Sequence, residues 1–288
     1  MSITIRPVRA DDIPTLAEIC FEAFGTLQDR HGVERDFDSV QTAGMVVGMF
    51  ASRPDFAGFV AQDGSGRVLG SNFLQMSDAV AGVGPITIRP GEQSRGVGRE
   101  LMEAVLDEAR RRGIERVRLQ QEAINTASLS LYTKLGFDWR AACSLMRLAP
   151  GAREDARMRP VTEADLGSIG EISERQYGHS RVNEVRGFLA IGLPGFVLRR
   201  EGGGDVGYYF AGFLGHGFAQ TPEDLADLVV FTARHSPPAI MKAIVPLGQH
   251  ELHRRLLERG CRTLKLFNYM TVGPWEEPRG AWIPSVGM

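Results

Sequence analysis

Residues 84 to 109, GPITIRPGEQSRGVGRELMEAVLDEA, run from an apolar, β-branched segment through a loop with two close glycines, Gly96 and Gly98, into a helix. Backbone amides at such a helix start, together with the positive end of its dipole, form a place for an anion. Glycine removes the Cβ that would block close approach. Arg95 and Arg99 flank the loop, and the first acid inside the helix is Glu100, so the segment has the chemistry of a phosphate holder. Taken alone, the two glycines serve a tight strand-to-helix turn equally well.

A second group follows some thirty residues later in NTASLSLYTKLGFDW, residues 125 to 139. Asn125 precedes Thr126 and is a natural helix N-cap, and Tyr132 falls on an apolar stripe with Leu129 and Leu135. Three carboxylates are candidates for a general base: Glu122 at the end of a strand, Asp78 at a strand junction and Glu22 near the end of the first helix. Each also reads as a solvated surface group, and the three stay open.

The elements around these residues alternate between strand and helix. The sequence predicts a helix from Asp12 to about Phe24, a charged loop from Asp29 to Asp38 and an apolar helix near Val40 to Phe50. Strands follow at Phe56 to Gln62, Val68 to Met76 and Ala79 to Ile88; from Val68 to Ile88 only Asp78 is charged, the pattern of a sheet centre. Val97, Leu101, Ala104, Val105 and Ala109 share one face of a helix from Gly96 to Arg112. A strand Arg116 to Glu122, a helix Thr126 to Leu135 and a strand Phe137 to Leu148 complete an α/β unit.

Taken together, Ile86-x-Ile88-x-Pro90, Gln93-x-x-Gly96-x-Gly98, Asn125 and Leu131-Tyr132-x-x-Leu135-Gly136-Phe137 resemble the GNAT acetyltransferase superfamily over about residues 3 to 148. A dinucleotide loop would stand near the first strand, and a Walker loop would carry Lys where Arg99 stands. The resemblance implies that Gln93, Ser94, Arg95, Gly96, Val97, Gly98 and Arg99 cradle the pyrophosphate of acetyl-CoA, used as co-substrate with no metal. It implies further that Ile86, Thr87 and Ile88 pair their backbone with the pantetheine arm, and that a free N–H there polarises the thioester carbonyl. Asn125 would reach the pantetheine, and Tyr132 would protonate the departing thiolate. The expected reaction is direct attack of an amine acceptor, a small molecule or a peptide, in a ternary complex. Two alternatives are a CoA-binding sensor or scaffold without turnover, and a purely structural tandem domain.

An internal repeat sets the domain organisation. Arg6-Pro7-Val8 with Asp12-Ile13, Leu16 and Glu18-Ile19 recurs as Arg159-Pro160-Val161 with Asp165-Leu166, Ile169 and Glu171-Ile172, at a constant offset of 153. In both copies the Asp reads as the N-cap of the helix that follows. The expectation is two GNAT-like domains of the α/β (α+β) class, each a mixed, mostly antiparallel sheet flanked by helices: residues 1–149, a linker at 150–157, and 158–288. In the second copy, Thr221-Pro222-Glu223-Asp224 starts the helix that should open on the cofactor, Leu256 stands where Tyr132 stood, and Pro246 lies near the expected Asn, so this copy reads as degenerate. His250 and His253 are three apart, not the four of a zinc helix. Gly202-Gly203-Gly204 reads as a hairpin turn, and the tail from Gly273, with Trp275 and Trp282, as an extended strap.

Composition bounds the rest. The 288 residues suit about two domains. Lys plus Arg (33) against Asp plus Glu (35) leaves a charge of -2, which argues against holding nucleic acid. Cys20, Cys143 and Cys261 are odd in number and scattered, as expected of buried free thiols. Neither a membrane span nor a signal peptide is legible, so a cytoplasmic protein is expected; a homodimer stays open.

Overall fold

The computed structural model describes residues 2–200 and 204–286. They form two compact units, residues 2–138 with Met270–Gly273, and Trp139–Tyr269 with the segment from Pro274. The segment 150–157 lies inside the second unit, where the Gly151 amide bonds to Val230 O.

The first unit begins with β1 (Ile3–Pro7), a 3-10 turn at Ala10–Asp12, α1 (Ile13–His31) and α2 (Val40–Ser52). Next come β2 (Phe56–Asp63), β3 (Val68–Gln75), β4 (Val80–Val83), β5 (Thr87–Ile88), α3 (Val97–Arg111), β6 (Arg116–Glu122) and α4 (Thr126–Lys134). The sheet order is β1-β2-β3-β4-β6, antiparallel except for the β4–β6 pair, with β5 also on β3. The helix α1 runs further than expected, so Asp29, Arg30 and His31 form its last turn and only Gly32 to Ser39 is loop.

The predicted stripe of α3 carries the core. Val97 and Leu101 pack with Ala61 and Leu69, while Met102, Val105, Leu106 and Ala109 pack with Leu74, Ala81, Val83, Val117 and Leu119. Each such aliphatic side chain contributes about 1.5–3 kcal/mol by leaving water. Met270 and Val272 join this core, although the chain between Trp139 and Tyr269 belongs to the other unit.

The second unit holds β7 (Asp138–Arg147, all but its first residue), β8 (Met158–Pro160), α5 (Leu166–Tyr177) and α6 (Val182–Ala190). It continues with β9 (Gly195–Arg199), β10 (Asp205–Phe210), β11 (His216–Ala219), α7 (Pro222–Arg234), β12 (Lys242–Pro246) and α8 (His250–Glu258). Last come β13 (Arg262–Val272, as far as Tyr269) and β14 (Ala281–Ile283). One sheet runs β14-β11-β10-β9-β8, and β12 pairs antiparallel with β7. Strands β9 and β10 pair antiparallel as a hairpin requires; Gly202 and Gly203 of the expected turn lie outside the described residues. No described helix is long and apolar enough to cross a membrane. The three cysteines are buried and free, and burial pushes the Cys20 and Cys143 thiols up to about 12.

The repeat proves to be an ion pair built twice. Arg6 grips Asp12 through both guanidinium nitrogens, at 2.7 and 2.8 Å, and the Asp12 carboxylate also accepts the Arg9 amide at 2.7 Å. Arg159 grips Asp165 at 2.7 and 2.5 Å, and Asp165 accepts the Thr162 amide at 2.8 Å. Contrary to the expectation from sequence, the aspartates do not cap the helices ahead of them; their carboxylates turn back and tie the first strand to the helix start. The Arg159 hydrogen bonds outweigh burial and hold the Asp165 carboxyl down to about 2. A folded-state value below the unfolded one contributes stability above about pH 4–5 that is lost as pH falls toward 2. Asp165→Asn is expected to lose about 2 kcal/mol in urea unfolding at pH 7, and the difference from the native chain should close near pH 2–3.

Candidate active site

The loop from Arg89 to Gly96 holds three residues with positive φ: Gly91 at 89°, Ser94 at 64° and Gly96 at 91°. Such turns aim successive N–H groups toward one side. Gly96 is the N-cap of α3 and offers no side-chain cap; the helix bonds begin with Arg99 N and Glu100 N, both to Gly96 O. The two glycines differ in purpose. A Cβ on Gly98 would come within 3.0 Å of Ile88 and 3.3 Å of Leu131, so Gly98 lets α3 seat closely, whereas a Cβ on Gly96 would meet nothing within 4 Å. Space in front of an uncapped helix start is what an anion needs. Gln93, Ser94 and Arg95 are exposed on the loop, and Val97 is buried beneath it. Glu92 is buried and receives Arg67 at 3.1 Å and Arg95 at 3.0 Å, which fixes two cations to the loop. Arg99 pairs with Glu103 along the helix at 3.3 Å.

Beside this loop the sheet opens. The expected strand from Ala79 to Ile88 is broken at Gly84-Pro85, a cis peptide, into β4 and β5. Up to Val83, paired with Leu119, β4 runs against β6; from there β5 stays on β3 and no longer pairs with β6. The Arg89 amide donates to Leu69 O on the β3 side at 2.8 Å. By the alternation of a strand, the N–H groups of Ile88 and Ile86 face the opposite, open edge. Ile88 O accepts Gln93 Nε2 at 3.4 Å. Thr87 is buried, and its hydroxyl lies 3.5 Å from that of Ser71.

Across the opening, β6 continues through Gln120 and Gln121 to Glu122. Three residues past the last β4–β6 rung place Glu122 about 10 Å further along. Asp78, half-buried, lies before the first rung, Val80 with Arg116, at the other end, and Glu22 is exposed on α1. Glu122 is therefore the carboxylate at the mouth, and it is buried at 7% exposure, not solvated. Gln28, fully buried on α1, brings its Nε2 to 3.3 Å from Glu122 Oε2 and 2.8 Å from Asp36 Oδ2, while its Oε1 accepts the Asp36 amide at 3.0 Å. Gln28 and Asp36 escaped the sequence reading, since no local pattern links positions 94 residues apart.

Asn125 caps α4 through Oδ1, which accepts the Ser128 amide at 3.1 Å, so the N-cap reading holds and the amide nitrogen is the part available to a ligand. Tyr132 is buried among Leu74, Phe137 and Met270. Burial raises its ionisation above the ordinary phenol range, with the Ser128 hydroxyl opposing in part, so its oxygen keeps its proton at neutral pH.

Among the described residues, the second unit does not repeat this arrangement. Thr221 Oγ1 accepts the Asp224 amide at 3.1 Å, Pro222 begins α7, and Glu223 and Asp224 already place negative charge at the helix start.

Comparison with known proteins agrees with this geometry. The family model for the Acetyltransferase (GNAT) family matches residues 16–137. The mycothiol acetyltransferase of Beutenbergia cavernae is 39% identical over 85 residues, 29% of each chain. The [ribosomal protein bS18]-alanine N-acetyltransferase of Escherichia coli is 40% identical over 53 residues, 18% of this chain and 36% of that one. The matches thus span only about a third or less of these relatives. A GCN5-related N-acetyltransferase from Sphaerobacter thermophilus superposes with a TM-score of 0.65, covering 96% of this chain and 97% of that one; at 13% identity this is likeness of fold. On the motif loop, the opened sheet and the family match together, residues 16–137 belong to the GNAT acetyltransferase family.

Proposed function

We propose that the first unit transfers the acetyl group of acetyl-CoA to an amine. The observation that carries this reading is the meeting of two features at one place: a loop and helix start with uncommitted N–H groups, and the open Ile86 to Ile88 edge beside it. The first suits the pyrophosphate, with Gln93, Ser94, Arg95, Gly96, Val97, Gly98 and Arg99 around it; the second suits the two amides of the pantetheine arm. The Asn125 amide nitrogen is a further donor to that arm.

The amine nitrogen attacks the thioester carbon, and an N–H of Ile86 or Ile88 stabilises the oxyanion. Collapse breaks the C–S bond and releases the thiolate, which takes the Tyr132 proton. Glu122 accepts, through water, the proton that the ammonium sheds before attack, and the second proton, lost from nitrogen as the amide forms, returns to the Tyr132 oxygen. The reading accounts for a buried carboxylate held by Gln28 at the mouth of the opening, which a CoA-binding scaffold would have no use for. The names of the relatives span mycothiol and a ribosomal-protein alanine, so the acceptor panel should include small amines and an alanine-ended peptide.

The test is release of free CoA thiol from acetyl-CoA over that panel, with the acetylated amine identified by mass. Tyr132→Phe should lower kcat by about 100-fold or more and leave CoA affinity intact. Absence of CoA binding, together with no thiol release for any amine of the panel, would refute the reading.

A further inference from the structure

Strand β11 and the helix α7 after it stand in the second unit where β4 and α3 stand in the first, yet β11 does not pair with β12 as β4 pairs with β6. Its outer edge is filled by the chain's own end: Gly217 pairs with Ile283, Phe218 with Trp282 and Ala219 with Ala281, antiparallel. On its other side β14 packs against β12, with Ala281 and Ile283 in one core with Ala243 and Val245. The segment is fastened along its length. The Arg279 amide donates to Gln176 O at 3.0 Å and the Val286 amide to Phe213 O at 2.8 Å. Trp282, 2% exposed, meets the Tyr177 ring edge-on at 6.3 Å. Ser285 Oγ donates to Glu184 Oε1 at 2.5 Å and accepts from Arg181 Nη2 at 3.3 Å. Arg181 and Glu184 are a fully buried ion pair, so the Ser285 hydroxyl completes a charge network whose loss is costly.

We infer that residues 279–286 are a resident ligand of the second unit: a strap that joins the sheet as its edge strand on β11, packs against β12 and closes that edge of β11 to an extended molecule. The Tyr177, Arg181 and Glu184 side chains form its receptor. Resting on the reading of the Ile86 to Ile88 edge as the acyl-CoA edge, the strap leaves the chain with one place for acyl-CoA instead of two.

The test compares the full chain with one ending at Gly280, followed by thermal unfolding with and without a synthetic peptide spanning residues 279–286. Truncation should lower the first unfolding transition by about 5–10 °C, and the peptide should restore it in a dose-dependent way. A peptide with Trp282 and Ser285 replaced by alanine should not. An unchanged transition, no rescue, or equal rescue by the altered peptide would each overturn the strap. Should the truncated chain not fold, Ser285→Ala in the full chain is read by hydrogen exchange. Amides of Gly217 to Ala219 should then exchange at least about 10-fold faster than in the native chain, and unchanged exchange there overturns the proposal. Calorimetric titration of the full chain with CoA separates the two readings. One equivalent supports both and two equivalents contradict closure by the strap; none removes the first-unit reading, and the strap is then judged on unfolding and exchange.

Discussion

Saturating acetyl-CoA is expected to raise the unfolding temperature of the native chain and to leave that of Gly96→Asp unchanged. At about a hundred times the dissociation constant, ligand binding adds roughly 2.7 kcal/mol, which for a unit of this size is a rise of about 5–10 °C. The substitution acts where a Cβ meets open space, so its steric effect on the protein is small. Its carboxylate, however, would stand at the uncapped start of α3, facing the diphosphate. Like charges at that range cost several kcal/mol, or at least about 100-fold in affinity. The φ of 91° suits glycine, so the free variant should lose about 1–2 kcal/mol, seen as a lower starting temperature. The ligand-dependent shift is therefore the quantity to compare. A shift of equal size in both proteins would place the cofactor elsewhere.

The second large effect is expected from Glu122→Gln. The change keeps the shape and removes the proton acceptor, so kcat/KM with an amine should fall by about 100- to 10,000-fold while CoA affinity stays the same. The residual rate should climb with pH, about tenfold per unit below the acceptor's own ionisation, because solution then supplies the free amine that Glu122 supplies in the native protein. A pH profile shifted in this way separates loss of a base from general damage. Asp78→Asn, at the far end of β4, should leave both rate and profile near native. If Glu122→Gln keeps full activity at pH 7, the proton leaves by another route.

Most of the first unit can be read from its residues in order. The stripe Val97, Leu101, Val105 and Ala109 becomes the buried face of α3, because helical spacing alone brings those side chains to one side. The Arg6–Asp12 and Arg159–Asp165 pairs were visible as a repeat, since each is closed within six residues of chain; what each carboxylate holds was not, because the N-cap geometry competes with the arginine only once the strand is placed.

The motif loop likewise stands on local chemistry: glycine, arginine and a helix start within ten residues. The surroundings of Glu122 do not, because Gln28 reaches it across 94 residues of chain. The length of β4 is not legible in the sequence for a related reason. Val80, Val83, Ile86, Thr87 and Ile88 favour strand on both sides of Gly84-Pro85, and only the loss of β6 as a neighbour after Val83 shows that the sheet opens there.

By itself, then, the sequence determined the twofold α/β plan, the glycine loop that opens α3 and the negative charge at the start of α7. The tertiary structure decided which carboxylate stands at the open edge, that Met270 and Val272 return to the first core, and that the tail fills the edge of β11. Helix faces, caps and short ion pairs depend on neighbours a few residues away, whereas strand edges are satisfied by whichever distant segment the finished fold brings beside them.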